Sequence, residues 1–197
     1  MSKLSTYARY MLKFRRNISM KVYFSHGKDS GPWGTKIKML SAIATELGCK
    51  VDSIDYTDTM DPDLRVERLL TVLNQEDDSF VLVGSSMGAY VSLVASESVD
   101  ASAVFLMAPA LYIPTFKKQQ YHSKCAHIEI VHGWSDEIIP AEHSIRYAKE
   151  ADCTLHLISA DHSLRAAIET VADLFERFLG RAMSRSRQDP SAGLQRF

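Results

Sequence analysis

Hydrophobic and polar positions alternate between two periods along the middle of the chain. Lys21-Val22-Tyr23-Phe24-Ser25 is a short β-rich run that stops at His26-Gly27. A loop with Gly31, Pro32 and Gly34 follows. Apolar residues then recur at helical spacing over about 35–47 (Ile37, Leu40, Ile43, Ala44, Leu47), with Gly48 placed to end that helix. Val51 to Tyr56 reads as a second strand, and Pro62 opens an amphipathic helix carrying Leu64, Val66, Leu69, Leu70 and Leu73.

Phe80-Val81-Leu82-Val83 is apolar without alternation, as in a strand covered on both faces. It leads through Gly84-Ser85-Ser86-Met87-Gly88 into an apolar helix reaching about Val99. Further strands are predicted at Ala103–Met107, Ile128–Val131 and Thr154–Ile158, and helices after Pro140 to about Glu150 and from Leu164 to Leu179. Six strands alternating with helices predict a single α/β domain around a doubly wound, mostly parallel sheet with right-handed crossovers. The domain is expected over residues 20–182. Residues 110–126 are irregular and too short for a cap domain.

The two ends differ from this middle. Residues 1–19 hold Lys3, Arg9, Lys13, Arg15 and Arg16 without an acidic residue. Arg- and Ser-rich, acid-poor composition is the pattern of a transit peptide, and an untied basic extension ahead of Met20 is the simpler reading. Residues 183–197 are polar, with Ser, Pro and Gly, and are expected to form a flexible tail.

Charge and cysteines narrow the class. A formal net charge of -1 gives no overall field to recruit nucleic acid or an anionic membrane surface. No apolar run approaches the roughly 18 residues of a membrane span. Three cysteines without paired spacing argue for free, buried thiols rather than a disulfide framework, and so for a soluble cytoplasmic protein. The histidines at 122, 127, 132, 143 and 156 fall into no metal-ligand spacing on one element, so no metal site is expected.

Candidate chemistry gathers where strands end. Gly84-x-Ser86-x-Gly88 is common enough by chance to be weak alone, but here it joins a buried strand to a helix. Such a turn forces the serine into a strained backbone conformation, and glycines at 84 and 88 remove the side chains that would collide. A glycine-rich turn that merely packs a helix on a sheet is the bland alternative. Asp136 lies in the loop after the fifth strand, where a carboxylate can orient a histidine through its Nδ1–H. Glu137 is its nearest competitor, and a loop or capping role its bland reading. His162 follows the sixth strand and can take the proton of Ser86. The order Ser86, Asp136, His162 is that of α/β-hydrolases. An oxyanion would be met by the backbone N–H of Met87 and by that of Lys28, in the loop opened by His26-Gly27. Trp33, Trp134, Tyr112, Ile113 and Phe116 are candidates to line a pocket.

Residues 20–180 resemble the small, lidless α/β-hydrolases of the esterase and thioesterase kind. The resemblance is carried by His26-Gly27, by the glycine–serine run at 84–88, by Gly133-Trp134-Ser135-Asp136-Glu137-Ile138-Ile139-Pro140 and by Asp161-His162. It implies hydrolysis of an ester-like bond in a small-molecule acyl substrate, without a cofactor, by a Ser86–His162–Asp136 triad. The sequence departs from the full fold in starting at the strand that carries His26-Gly27, without leading antiparallel strands. The competing reading is a protein that keeps the fold for binding partners, since folds host unrelated functions. Lyase or haloperoxidase chemistry on the same three residues is a third.

Overall fold

A computed structural model describes residues 20–188, with side chains through Ser186. The basic extension over 1–19 and the last part of the expected tail, 189–197, lie outside the described residues. Six strands form one sheet: β1 (Met20–Ser25), β2 (Lys50–Ile54), β3 (Ser79–Ser85), β4 (Ala103–Met107), β5 (Ile128–Gly133) and β6 (Thr154–Ile158). Their order is β2-β1-β3-β4-β5-β6 and every pairing is parallel. Five α-helices connect them: α1 (Thr35–Glu46), α2 (Pro62–Leu73), α3 (Met87–Ala95), α4 (Ala141–Ala151) and α5 (Ile168–Gln188).

The two faces of the sheet can be read from successive side chains, which point to opposite sides. On one face Val22 and Phe24 of β1, Val81 and Val83 of β3, and Phe105 and Met107 of β4 meet Ile37, Leu40 and Ala44 of α1 and Phe175, Phe178 and Leu179 of α5. On the other, Tyr23, Leu82, Val104, Leu106 and Ile130 pack under α2, α3 and α4 through Leu69, Leu73, Tyr90, Leu93 and Tyr147. A register slip of one residue would send each set into the wrong layer, so the apolar runs specify both the strands and their pairing.

The clearest differences from the sequence reading are at helix ends. Helix α3 stops at Ala95 rather than near Val99, because Ser96 Oγ turns back to the Leu93 carbonyl at 2.6 Å and meets Ser123 Oγ at 2.7 Å. The last helix begins with a 3-10 turn, Arg165–Ala167, and then runs through Gln188. Residues 183–188, expected in a flexible tail from 183 onward, are therefore helical. Met183 packs against the α1/α5 core, which extends the apolar stripe beyond where the polar residues conceal it. Residues 108–127 carry neither helix nor strand and no cap domain. Among the described residues no helix is long and apolar enough to cross a membrane.

Sheet order decides where a site can form. The chain lays β2 on one side of β1 and then crosses to place β3 on the other. The loops after β1 and β3 thus diverge to opposite faces and leave a crevice at the carboxyl edge.

Candidate active site

Ser86 stands at that crevice, between β3 and α3, with φ 56° and ψ -122°. A non-glycine residue rarely occupies this region, and holding one there costs roughly 1–3 kcal/mol. The surroundings impose it. Ser86 N–H donates to Met107 O at 2.9 Å, and its carbonyl accepts from Ala89, Tyr90 and Ala110 N–H groups. A Cβ at Gly84 would collide with the Gly88 carbonyl and Ala89, and one at Gly88 with the Ser25 carbonyl of β1. The two glycines therefore let β3, α3 and β1 close around the serine.

The sequence-predicted residues from the far loops reach Ser86. His162, after β6, has Nε2 3.0 Å from Ser86 Oγ and Nδ1 2.7 Å from Asp136 Oδ2. With the carboxylate as acceptor, Nδ1 carries the proton and Nε2 is left to accept from the serine hydroxyl. Asp136 has its side chain fully buried. Its Oδ1 accepts from Ile138 N–H (2.9 Å) and Ile139 N–H (2.8 Å). Burial alone would push this carboxyl up; the Ile139 amide, His162 and the Ile138 amide outweigh it and hold it below the ordinary carboxylate range. Glu137, the competing acid, is exposed and lies outside this network.

One member was missed by sequence reasoning. His132, fully buried at the end of β5, places Nε2 3.0 Å from the same Asp136 Oδ2 and 3.0 Å from the Ile139 carbonyl. Both partners accept, so Nε2 bears the proton and Nδ1 accepts from Ser144 Oγ at 2.6 Å. Burial lowers its pKa despite the nearby carboxylate. The only signal in the sequence was a histidine four residues before the candidate acid, legible once both ends of that loop fold onto the sheet.

Two backbone N–H groups near the serine have no hydrogen-bond partner among the described residues. Met87 is the first residue of α3, whose N–H the helix leaves over. Lys28 N–H has no hydrogen-bond partner among the described residues. A Cβ built on Gly27 would lie 3.5 Å from Ser86 Cβ, so the loop after β1 abuts the serine.

The other nucleophiles fall elsewhere, and the candidate wall residues divide between two settings. Cys49 and Cys153 are free thiols that burial pushes up to about 11, so neither competes as a thiolate near neutral pH. Tyr112 and Phe116 are engaged in an aromatic cluster with Tyr90 and Tyr121, and the Tyr112 hydroxyl donates to Glu150. Trp33, Met60, Leu64, Trp134 and Ile138 are the exposed large apolar side chains among the described residues, all in segments following β1, β2 and β5 at the carboxyl edge. No group of three or more His, Cys, Asp or Glu among the described residues is arranged to hold a metal ion.

The model of an uncharacterised protein family, UPF0227, matches residues 20–124, a segment holding Gly27, Lys28 and Ser86 but ending before Asp136. A protein from Xanthomonas campestris pv. campestris assigned to the α/β-hydrolase superfamily is 31% identical over 82% of this chain and 98% of its own, with a TM-score of 0.72. This chain belongs to the UPF0227 family, within the α/β-hydrolase superfamily. Two more distant structures share the fold. Est1E from Butyrivibrio proteoclasticus is 17% identical, with 88% and 91% of the chains covered and a TM-score of 0.71. A lidless α/β serine hydrolase from Xanthomonas campestris is 19% identical, with 85% of each chain covered and a TM-score of 0.64. No curated protein matches the chain.

Proposed function

We propose that this UPF0227 member is a serine hydrolase that cleaves a carboxylic ester or thioester of a small or short-chain acyl group. The observation that carries the reading is the continuous line Ser86 Oγ–His162 Nε2–Asp136 Oδ2, at 3.0 and 2.7 Å. Catalysis of acyl transfer needs a nucleophile, a base in contact with it and a group that orients the base.

In this mechanism Ser86 Oγ attacks the acyl carbonyl carbon while its proton passes to His162 Nε2. Asp136 keeps the Nδ1–H in place and stabilises the imidazolium that forms. The carbonyl oxygen, now an oxyanion, is met by the Met87 and Lys28 N–H groups, which are fixed before the substrate arrives. The tetrahedral intermediate collapses, the alcohol or thiol leaves with the proton from Nε2, and an acyl-Ser86 ester remains. Water then repeats the sequence, giving up a proton to His162 as its oxygen attacks, and the acid is released with Ser86 restored. No step calls for a metal or an organic cofactor.

The exposed apolar side chains at the carboxyl edge support an apolar acyl or leaving group, and the absence of a cap over residues 108–127 supports an open site. The test is hydrolysis of p-nitrophenyl esters from acetate to decanoate by wild type and Ser86→Ala, with fluorophosphonate labelling of both. Turnover and labelling lost together in the variant are expected, with short chains preferred. A wild type that neither turns over nor labels would replace this reading with that of a binding protein on a hydrolase fold.

A further inference from the structure

Arg65, from α2, is a fully buried side chain with no carboxylate within ion-pair distance among the described residues. An unpaired guanidinium away from water is expensive unless its donors are satisfied. Backbone carbonyls satisfy it. Nε and Nη2 donate to Thr59 O at 3.0 and 2.6 Å, and Nη2 also reaches Tyr56 O at 3.3 Å. The remaining nitrogen, Nη1, spans the carbonyls of His26 and Gly27, each at 3.4 Å. The cation also lies 5.4 Å from the centre of the Tyr56 ring.

These last two acceptors belong to the loop that abuts Ser86. The Gly27 carbonyl is held a second time by His26. Tyr56 N–H donates to His26 Nε2 at 3.0 Å, which leaves Nδ1–H to donate to Gly27 O at 2.8 Å. In a trans peptide the N–H points opposite to the C=O, and the described chain has no cis bonds. Drawing the Gly27 oxygen inward toward Arg65 and His26 therefore turns the Lys28 N–H the other way, where it has no partner among the described residues.

We infer that Arg65 is a positioning residue which, with His26, fixes the Gly27–Lys28 peptide so that the Lys28 N–H is aimed at the oxyanion. The inference rests on the serine-hydrolase reading. A guanidinium suits the task because its planar fork serves carbonyls of two separate segments at once; an ammonium donates from a single point. The residue touches no substrate and acts through the backbone alone.

The experiment compares wild type, Ser86→Ala, Arg65→Met, Arg65→Lys and the partly exposed neighbour Arg68→Met on p-nitrophenyl acetate. Rates are expressed per site titrated by a fluorophosphonate taken to its end point. Affinity for a trifluoromethyl ketone, which forms a tetrahedral adduct with the serine, is measured alongside. Arg65→Met is expected to lower kcat roughly 10- to 100-fold, less than outright loss of an oxyanion donor, with KM within about twofold. Ketone affinity should fall by a matching factor, while Arg68→Met stays near wild type. Arg65→Lys should recover thermal stability without recovering kcat, and it decides the question by itself if Arg65→Met does not fold. Wild-type turnover that does not depend on Ser86 overturns the hydrolase reading and this inference together. Ser86-dependent turnover with kcat per titrated site and ketone affinity unchanged in Arg65→Lys or Arg65→Met overturns the inference alone, leaving Arg65 a structural residue.

Discussion

His132 donates from Nε2 to Asp136 Oδ2 across 3.0 Å, on the oxygen that also receives His162. One carboxylate oxygen thus holds two imidazoles, and the geometry of the first constrains the second. Replacing His132 by Phe removes a donor from a buried carboxylate and leaves the Ser144 hydroxyl without its acceptor. Each loss is of the order of 1–3 kcal/mol, so we expect a stability decrease of about 2–4 kcal/mol and roughly tenfold lower kcat from a looser His162. The pH profile adds a sign. The His132 pKa is depressed in the folded state, so its contribution to stability is full above the unfolded value near 6.5 and falls as acid protonates the unfolded chain. The variant should lose less stability than wild type on going from pH 7 to 5, measured by urea unfolding. Parallel profiles would show that His132 is not the neutral donor described here.

Asp136 and Glu137 are adjacent in sequence and unlike in environment. The first has a buried side chain that accepts four hydrogen bonds, while the second is exposed. Asp136→Asn keeps the shape but offers an amide where His162 needs an acceptor, so His162 is held in the wrong tautomer. A fall in kcat on the order of 10³–10⁴ is expected, whereas Glu137→Gln should remain within about twofold. Steady-state kinetics on one ester decide it; a large loss in Glu137→Gln would reassign the acid.

The sheet and the candidate site were legible for different reasons. Val81 to Val83 and Val104 to Leu106 are apolar without a break, which only strands buried on both faces require. Ser86, Asp136 and His162 each follow a strand, and parallel strands bring all such loops to one edge. His132 and Arg65 escaped because nothing local marks them. His132 reads as the polar end of a strand, and Arg65 as a charge on an amphipathic helix, until the folded chain gives them acceptors from other segments. The continuation of α5 to Gln188 escaped because Ser and Arg outnumber the one apolar residue that packs, Met183.

Ser86 combines φ 56° with a Cβ, and its strain should be visible as stability. At an ordinary helix-proximal position glycine is less stable than alanine by roughly 0.5–1 kcal/mol, because the unfolded chain gains freedom. Here Ala retains the steric conflict and Gly relieves it, so Ser86→Gly should unfold at a higher temperature than Ser86→Ala, by about 1 kcal/mol. Both variants should be inactive. The reverse order of melting temperatures would show that the elbow is not strained at this residue.

Glu129 sits at the opposite edge of the sheet, near the start of β5, and is 3% exposed. Oε1 accepts from His127 Nε2 (3.3 Å) and Arg181 Nη2 (2.5 Å), Oε2 from His156 Nε2 (3.2 Å). A cavity of about 400 Å³ lies beside it, lined in part by His156, Arg181 and Arg185. Burial alone would raise this carboxyl; His127, Arg181 and His156 reverse that and take it from 4.5 to about 2. A depressed carboxylate stabilises the fold above its unfolded pKa and ceases to do so as pH falls through its folded one, so the window here runs from about 4.5 down to about 2. The shift corresponds to about 3 kcal/mol, and solvent screening of the half-exposed Arg181 reduces it to about 2 kcal/mol. This ion cluster ties α5 to β5 and β6, so Glu129→Gln should destabilise the protein by about that amount at pH 7. Between pH 5 and pH 3 the variant should also lose less stability than wild type. Urea unfolding at pH 7, 5, 4 and 3 measures both, and curves that stay parallel down to pH 3 would show that Glu129 has no part in acid stability.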